Sequence, residues 1–482
     1  LDFSLVGEYL RTFQKTLSFT GYGIDPRTPN TAAVILQGNA SNQLYANVGG
    51  SKTQNTLLSG LILGRYTYDD KYTITGSFRN DGASNLPENN RWQKFFSVGA
   101  AWDIKREKFL ENNKTISVLR LKASYGNSGN FNNFPFGDFD YISTYGVSQY
   151  QGVPTTFPTS PGYPTLRWEK IYTTNIGVDY SLFKGRVYGD FNVYDRRTKD
   201  LFVKQSLALS AAAPFSSLYL NSGELQNKGF EWNINYEVIR KKDITWTLFT
   251  SGGYNQNKLL SLGKVQSYEA GTEKYTVGLP LGSHYEVKWG GVDAATGSPL
   301  YYDLDGKLTN QYSASYKVQQ FGTWESPWKG GWGTRLRYKN FDLNVLFSFQ
   351  KNGFRSNNVE YFVENPSFLN QGYTQASTLN FWQKPGDISS NPSPAFATNF
   401  SSKIIHDASF IRLKEVSLYY TLPQKSLDKI KFIRSLRFYV MGSNLYVWTK
   451  FIGTDPEAGP TNIAQGDFPN PKAATVGLEI GL

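Results

Sequence analysis

The sequence predicts an all-β chain: an antiparallel transmembrane β-barrel wall with long loops on one side. Three observations predict it. First, apolar and polar residues alternate with period two in one segment after another, and successive side chains leave opposite faces of a strand. Second, only 39% of the 482 residues are hydrophobic, yet 16% are aromatic. A large water-soluble core is richer in Leu, Ile and Val. A barrel needs one apolar face per strand and aromatic girdles at both membrane interfaces, which suits 32 Tyr, 33 Phe and 11 Trp. Third, no run of about 18 apolar residues occurs, so no membrane helix is encoded. A barrel is the other structure that pairs every backbone polar group inside lipid.

The strands read in order as follows. The first covers roughly Asp2 to Phe19, and an Asn/Gly/Ser-rich loop runs to about Gln54. Thr56–Tyr68 returns. Asp69-Asp70 turns tightly into Lys71–Arg79, where Tyr72, Ile74, Gly76 and Phe78 oppose Thr73, Thr75, Ser77 and Arg79. A loop at Asn80–Asn90 leads to Arg91–Lys105, with Val98, Ala100, Trp102 and Ile104 on one face. A short connection at Glu107–Ser117 precedes Leu119–Tyr125. After a long Gly, Pro and aromatic-rich loop, Arg167–Phe183 descends and Lys184-Gly185 turns into Arg186–Val203. Tyr219–Ile239 follows a loop near Ala211–Pro214, and Lys241–Asp243 turns into Thr245–Leu259. The longest excursion then holds small strand-like pieces at Tyr285–Trp289 and Pro299–Asp303. Thr334–Tyr338, Phe341–Phe354, Phe410–Leu422, Leu436–Lys450 and Ala473–Leu482 complete the series.

Turn length sharpens this reading to about fourteen strands with both chain ends on the short-turn side, as in bacterial outer-membrane barrels. Counted back from the C-terminus, short turns fall on one side and long loops on the other. A soluble β-sandwich has short loops at both ends.

Composition also narrows the chemistry. With no Cys there is no disulfide, thiolate metal site or Cys nucleophile. The two histidines, His284 and His406, are far apart in sequence, which argues against a zinc site or a triad. Asp303-Leu304-Asp305-Gly306 begins like a calcium loop but lacks the closing Glu, so a turn is expected. No carboxylate pair stands out as catalytic; no enzyme activity, metal or cofactor is expected. The net charge of +11 comes from scattered Lys and Arg. It points to a lumen lining and to anionic lipid headgroups, not to nucleic acid. The chain starts at Leu1 with no apolar leader, so either a signal peptide is removed or the chain belongs to a longer polypeptide.

One ordered series of short motifs runs through nearly the whole chain. It begins with Arg65-Tyr66-Thr67-Tyr68, Arg79-Asn80-Asp81-Gly82-Ala83-Ser84 and Phe95-Phe96-Ser97-Val98-Gly99-Ala100-Ala101-Trp102. It continues with Leu121-Lys122-Ala123-Ser124-Tyr125-Gly126-Asn127-Ser128-Gly129-Asn130, Asn227-Lys228-Gly229-Phe230-Glu231-Trp232 and Asn255-Gln256-Asn257-Lys258. Gly290-Gly291-Val292-Asp293, Phe410-Ile411-Arg412-Leu413-Lys414-Glu415-Val416 and Gly442-Ser443-Asn444-Leu445 close it. This series resembles the C-terminal part of the barrel of SusC/RagA-like TonB-dependent outer-membrane transporters of Bacteroidota.

The resemblance implies a barrel of about 22 strands, of which residues 1–482 form the last fourteen or so. It implies an N-terminal plug, absent from this chain, that engages TonB with ExbB and ExbD. The remaining strands would lie on another part of the polypeptide or a separate chain, because open sheet edges are prohibitive in lipid. A SusD-like surface lipoprotein would close as a lid over extracellular loops at about residues 20–54, 127–165, 260–331, 355–408 and 451–472. Substrate- or lid-contacting candidates on these loops are Phe131, Phe134, Phe136, Tyr141, Tyr145, Trp324, Trp328, Phe381 and Trp382. An aromatic face can stack on a sugar ring or pack a peptide side chain, although most large aromatics serve burial. The function implied is energised uptake of an oligosaccharide or oligopeptide. The alternative is a passive pore or a structural barrel in a larger envelope complex.

Overall fold

The computed structural model describes residues 1–20, 27, 47–131, 139–206, 215, 217–270, 273–365, 368, 380–427, 432–459 and 461–481. Fourteen strands build one antiparallel sheet. They are β1 (Asp2–Thr20), β2 (Asn47–Tyr68), β3 (Tyr72–Ala83), β4 (Trp92–Asp103), β5 (Ile116–Asn130), β6 (Glu169–Leu182) and β7 (Val187–Ser206). Then come β8 (Ser217–Lys241), β9 (Ile244–Leu262), β10 (Trp328–Tyr338), β11 (Phe341–Lys351), β12 (Phe410–Thr421), β13 (Ser435–Thr449) and β14 (Ala473–Gly481). Each pairs with its neighbour in sequence. Among the described residues no strand pairs the outer edges of β1 and β14.

Tight turns and the longest excursions fall on opposite sides, although the connections 104–115 and 422–434 on the turn side are longer than 84–91 on the loop side. On one side lie tight turns, such as Asp69 and Asp70 with φ of 48° and 50°. Two successive positive φ values form the hairpin turn whose twist matches that of the strands. Phe183 and Lys184 repeat the device at 53° and 59°. On the other side lie the long excursions, with small sheets of their own.

Two faces follow from the pleat. On the outward face Ile74 and Phe78 of β3, Ile234 and Tyr236 of β8, and Leu418 of β12 are exposed. Aromatics gather at both ends of this face. Tyr72 stacks on Trp102, and Phe341 meets Tyr420 at 4.7 Å near the tight turns. Near the loops, Phe191, Phe230, Trp232 and Tyr254 form a second cluster. The opposite face is polar and cross-linked. Ser77 bonds Ser97 at 2.6 Å, Lys122 meets Asp179 at 2.5 Å, and Arg79 spans Glu8 and Asp81. An apolar face toward lipid with a polar face inward is the barrel arrangement, the reverse of a soluble sheet. No helix among the described residues is long and apolar enough to cross a membrane.

β2 and β10 begin well before their alternation suggests. β2 starts at Asn47, because Gly49, Gly50 and Ser51 carry no apolar face yet still pair with β1. β10 starts at Trp328, because Gly330, Gly331 and Gly333 hide its period. A Cβ at Gly331 or Gly333 would lie 2.6 or 2.2 Å from a carbonyl oxygen of β11. The short pieces near 285–303 form as expected, at Glu286–Val287, Trp289–Val292 and Pro299–Tyr302. The loop near Ala211–Pro214 lies outside the described residues.

Candidate functional site

The inner face opens, at its loop end, into a mouth between two lips. The floor is an amide network on β8 and β9. Asn255 and Asn257 both donate to Asn227 Oδ1, at 3.0 and 2.8 Å, and Tyr194 of β7 donates to Asn255 Oδ1 at 3.0 Å. These residues alternate inward on their strands, so the network is set by register alone.

Residues 263–327 form the first lip. Tyr275 and Leu281 pack on Val203, Leu259 and Leu262, anchoring the lip to the wall. Leu281 N–H donates to Asn257 Oδ1 at 2.8 Å, which ties lip to floor. The Trp324 indole lies on Gly282, whose φ is +72° and whose added Cβ would sit 2.4 Å from the ring. Only glycine fits there. Burial pushes the Glu273 carboxyl up, against hydrogen bonds from Tyr275 and Trp324 that pull it down. The same burial raises the Tyr275 hydroxyl further. His284 is fully buried, and burial holds its imidazole below the usual range although Nε2 lies 2.7 Å from Phe354 O.

Residues 451–472 form the second lip. Buried Arg412 on β12 pairs with Asp455 at 2.5 Å and with Glu457 at 2.9 Å. Buried Arg355 donates to the carbonyl oxygens of Thr461 at 3.0 Å and of Ala458. Ile463–Ala464 adds in parallel to the strand Phe354–Asn357. Between the lips lies a cavity of about 500 Å³, lined by Asn227, Asn255, Glu273, Trp324, Thr461 and Asn462 among others. An aromatic platform ringed by amides and carboxylates can stack a ring and bond hydroxyl or amide groups.

The aromatic candidates separate. Trp324 lines this cavity. Trp328 stands on the outward face, 4.8 Å from Tyr254. Phe131 packs against Trp168 at 4.6 Å in a core with Ala83, Leu86 and Leu166. Trp382 lies on Gly297 and donates to Ala294 O at 2.9 Å. Phe381 bridges Asn391. Tyr141 is half-buried, and Tyr145 is exposed on the hairpin Thr144–Tyr150 and Val153–Ser160. Phe134 and Phe136 lie outside the described residues. Asn227, Asn255, Asn257, Glu273 and Glu325 were not singled out by composition. The only sequence sign was their place in two Asn-rich motifs and beside Trp324.

The remaining motifs resolve simply. Asp303 Oδ1 accepts from Asp305 N and Lys307 N, at 3.0 and 2.8 Å, in a turn. Among the described residues no cluster of metal-binding side chains forms. His406 is spent on Glu360 at 2.5 Å, and His284 on Phe354 O at 2.7 Å.

The family model described as "TonB dependent receptor-like, beta-barrel" matches residues 2–365. TonB-dependent receptor P3 of Formosa agariphila is 30% identical over 87% of this chain and 45% of its own length. TonB-dependent receptor SusC of Bacteroides thetaiotaomicron is 29% identical over 89% and 44%. The RagAB peptide importer in its open-open state matches with a TM-score of 0.89 and 28% identity, over 99% of this chain and 52% of that one. The chain thus spans about half the length of the relatives it matches.

Proposed function

Because the chain belongs to the TonB-dependent receptor-like β-barrel family, a family of outer-membrane transporters and receptors, we propose that it is the larger part of the wall of an importer for a large nutrient. The nutrient is an oligosaccharide or oligopeptide, and a SusD-like lipoprotein closes over the loops. The remaining strands and the plug that meets TonB come from another part of the polypeptide or a separate chain. Two bare edges, β1 and β14, cannot stand in lipid.

The observation that carries this reading is the match of 99% of the chain to the RagAB peptide importer at 28% identity. The mouth supports it. Its loop side would face outward, and its lining offers a ring platform with amide and carboxylate partners. Neither lip needs a catalytic group for this role.

The test is growth of a deletion strain on defined oligosaccharides or oligopeptides as sole source, complemented with variants. The reading expects growth to need both this protein and an active TonB system. Trp324→Ala should slow uptake about three- to tenfold, the worth of one stacking contact. Growth that needs the protein but not TonB would mark a passive pore instead. Growth independent of the protein on every nutrient would mark a structural barrel.

A further inference from the structure

On the outward face near the loops, the wall carries a cleft of about 520 Å³ between β10 and β13. Its apolar floor is Trp332, Phe349, Ile411 and Trp448. Trp332 stacks on Phe347 at 5.5 Å, and Phe347 meets Trp448 at 6.3 Å, so the floor is one aromatic sheet. Ile411 and Trp448 keep 40% and 48% of their surface exposed, as other residues of the outward face do.

The cleft has a structural cause. The register slips between Leu346 and Phe347 where β11 meets β12, and between Leu413 and Glu415 where β12 meets β13. At the second slip Asn444 takes φ +52°. Bulges bend a strand and increase its twist. Both slips skip Lys414 of β12, so one irregularity, shared with both neighbouring strands, bends the wall on the tight-turn side of the cleft.

The rim differs in chemistry from the floor. Lys351 follows Phe349 on the outward face of β11, and Lys450 follows Trp448 on that of β13. Both lysines are exposed and line the cleft, and among the described residues neither has an acidic partner. The single carboxylate at the rim, Asp407, accepts from the Ser409 N–H at 2.9 Å and from its hydroxyl. Apolar surface thus lies at membrane depth and unpaired positive charge just above it. That order matches the order of groups along one lipid, chains below and headgroup above.

We propose that this cleft binds a phosphate-bearing lipid of the outer leaflet, with the acyl chains on the aromatic floor and the phosphate between Lys351 and Lys450. The proposal rests on the loop side facing outward, which is tested separately. Ile388, 93% exposed on the loop between β11 and β12, replaced by cysteine should react with an impermeant maleimide on intact cells.

The experiment is native mass spectrometry of the full detergent-purified protein with lipid A as probe and diacylglycerol, which carries acyl chains but no phosphate, as the comparison. Lipid A should be retained at least fivefold more strongly. Each of Lys351→Gln and Lys450→Gln should reduce retention about fivefold, the usual worth of a basic residue at an anionic lipid surface. The control Lys329→Gln sits on the inner face and should leave retention unchanged. Heat-modifiability of the barrel on gels keeps loss of fold distinct from loss of binding. Equal retention of both lipids, or equal loss with Lys329→Gln, would overturn the proposal. If Ile388→Cys reacts only after lysis, the loop side faces inward and the leaflet assignment falls with it.

Discussion

The two lips of the mouth bury charge in opposite ways. The lip of residues 451–472 holds full charges that satisfy each other, Arg412 with Asp455 and Glu457, beside one guanidinium, Arg355, that burial pulls down and neutral carbonyl oxygens hold. In the lip of residues 263–327, burial works against charge. The Glu273 and Glu286 carboxyls are pushed up and the His284 imidazole is pushed down. The lip of residues 451–472 is a clamp whose parts depend on each other. The lip of residues 263–327 is an apolar cushion around Tyr275 and Leu281 that tolerates polar groups best when they are neutral. Removing one charge should therefore be costly in the clamp and cheap in the cushion.

The sharpest break is Arg412→Met. It leaves Asp455 buried without its partner, and breaking a buried pair costs about 3–5 kcal/mol. Hydrogen exchange in 451–464 should rise strongly, with little change in 263–327. If both lips loosen equally, they are one unit and the contrast fails.

Next comes Gly282→Ala. The left-handed φ and the Trp324 ring both oppose a Cβ, and such strain is worth about 1–3 kcal/mol. Exchange should rise in 263–327 only, and Trp324 fluorescence should shift red as the indole leaves its seat.

Acid separates the lips by window. The Asp455 carboxyl is held below its usual 3.8: burial would raise it, but the Glu457 and Asn470 N–H groups and Arg412 outweigh that. Its contribution is present above 3.8 and fades as pH falls below that value. His284 is lowered from 6.5 by burial, so the lip is stabilised by a neutral imidazole and weakens as pH falls below 6.5. Glu273 and Glu286, being raised, act in the opposite direction and are relieved by acid. The comparison is therefore made between wild type and His284→Gln. Wild type should lose more protection in 263–327 between pH 7.5 and 5.5 than the variant does. Over that range 451–464 should not change. The smallest effect belongs to Lys329→Met. Its pair with Glu325 at 3.1 Å is about half exposed on both sides, which is worth about 0–1 kcal/mol. Exchange in either lip should be unaltered.

The wall was legible in the sequence because lipid demands an apolar side chain at every second position. Where the strands leave the membrane, that demand ends, and so does legibility. Asn47 to Asn55 pairs with β1 as well as any other segment, yet its Gly and Ser carry no period. At Gly330–Gly333 the period vanishes for a second reason, since neighbouring backbone and rings occupy the space of a side chain. The mouth was legible only in part. Trp324 stands out as a loop tryptophan, and it does line the cavity. Trp328, four residues on, reads the same in sequence but faces outward, because β10 begins there. Asn227 and Asn255 are 28 residues apart and meet only through strand register. A loop aromatic gives no sign of the glycine that will seat it, as Gly297 seats Trp382.

The central claim is that each strand shows an apolar face to lipid and a polar face to a wet lumen. The chain has no cysteine of its own, so single cysteines can be read without background. On β8, cysteine in place of Glu231 or Asn233, both exposed on the polar face, should react with a water-soluble maleimide in isolated outer membranes. Cysteine in place of Ile234 or Tyr236 should not react, and a fluorophore there should be quenched by spin-labelled acyl chains. Alternation of reactivity with period two in that phase is the result expected. Alternation in the opposite phase, or reactivity at all four positions, would contradict it.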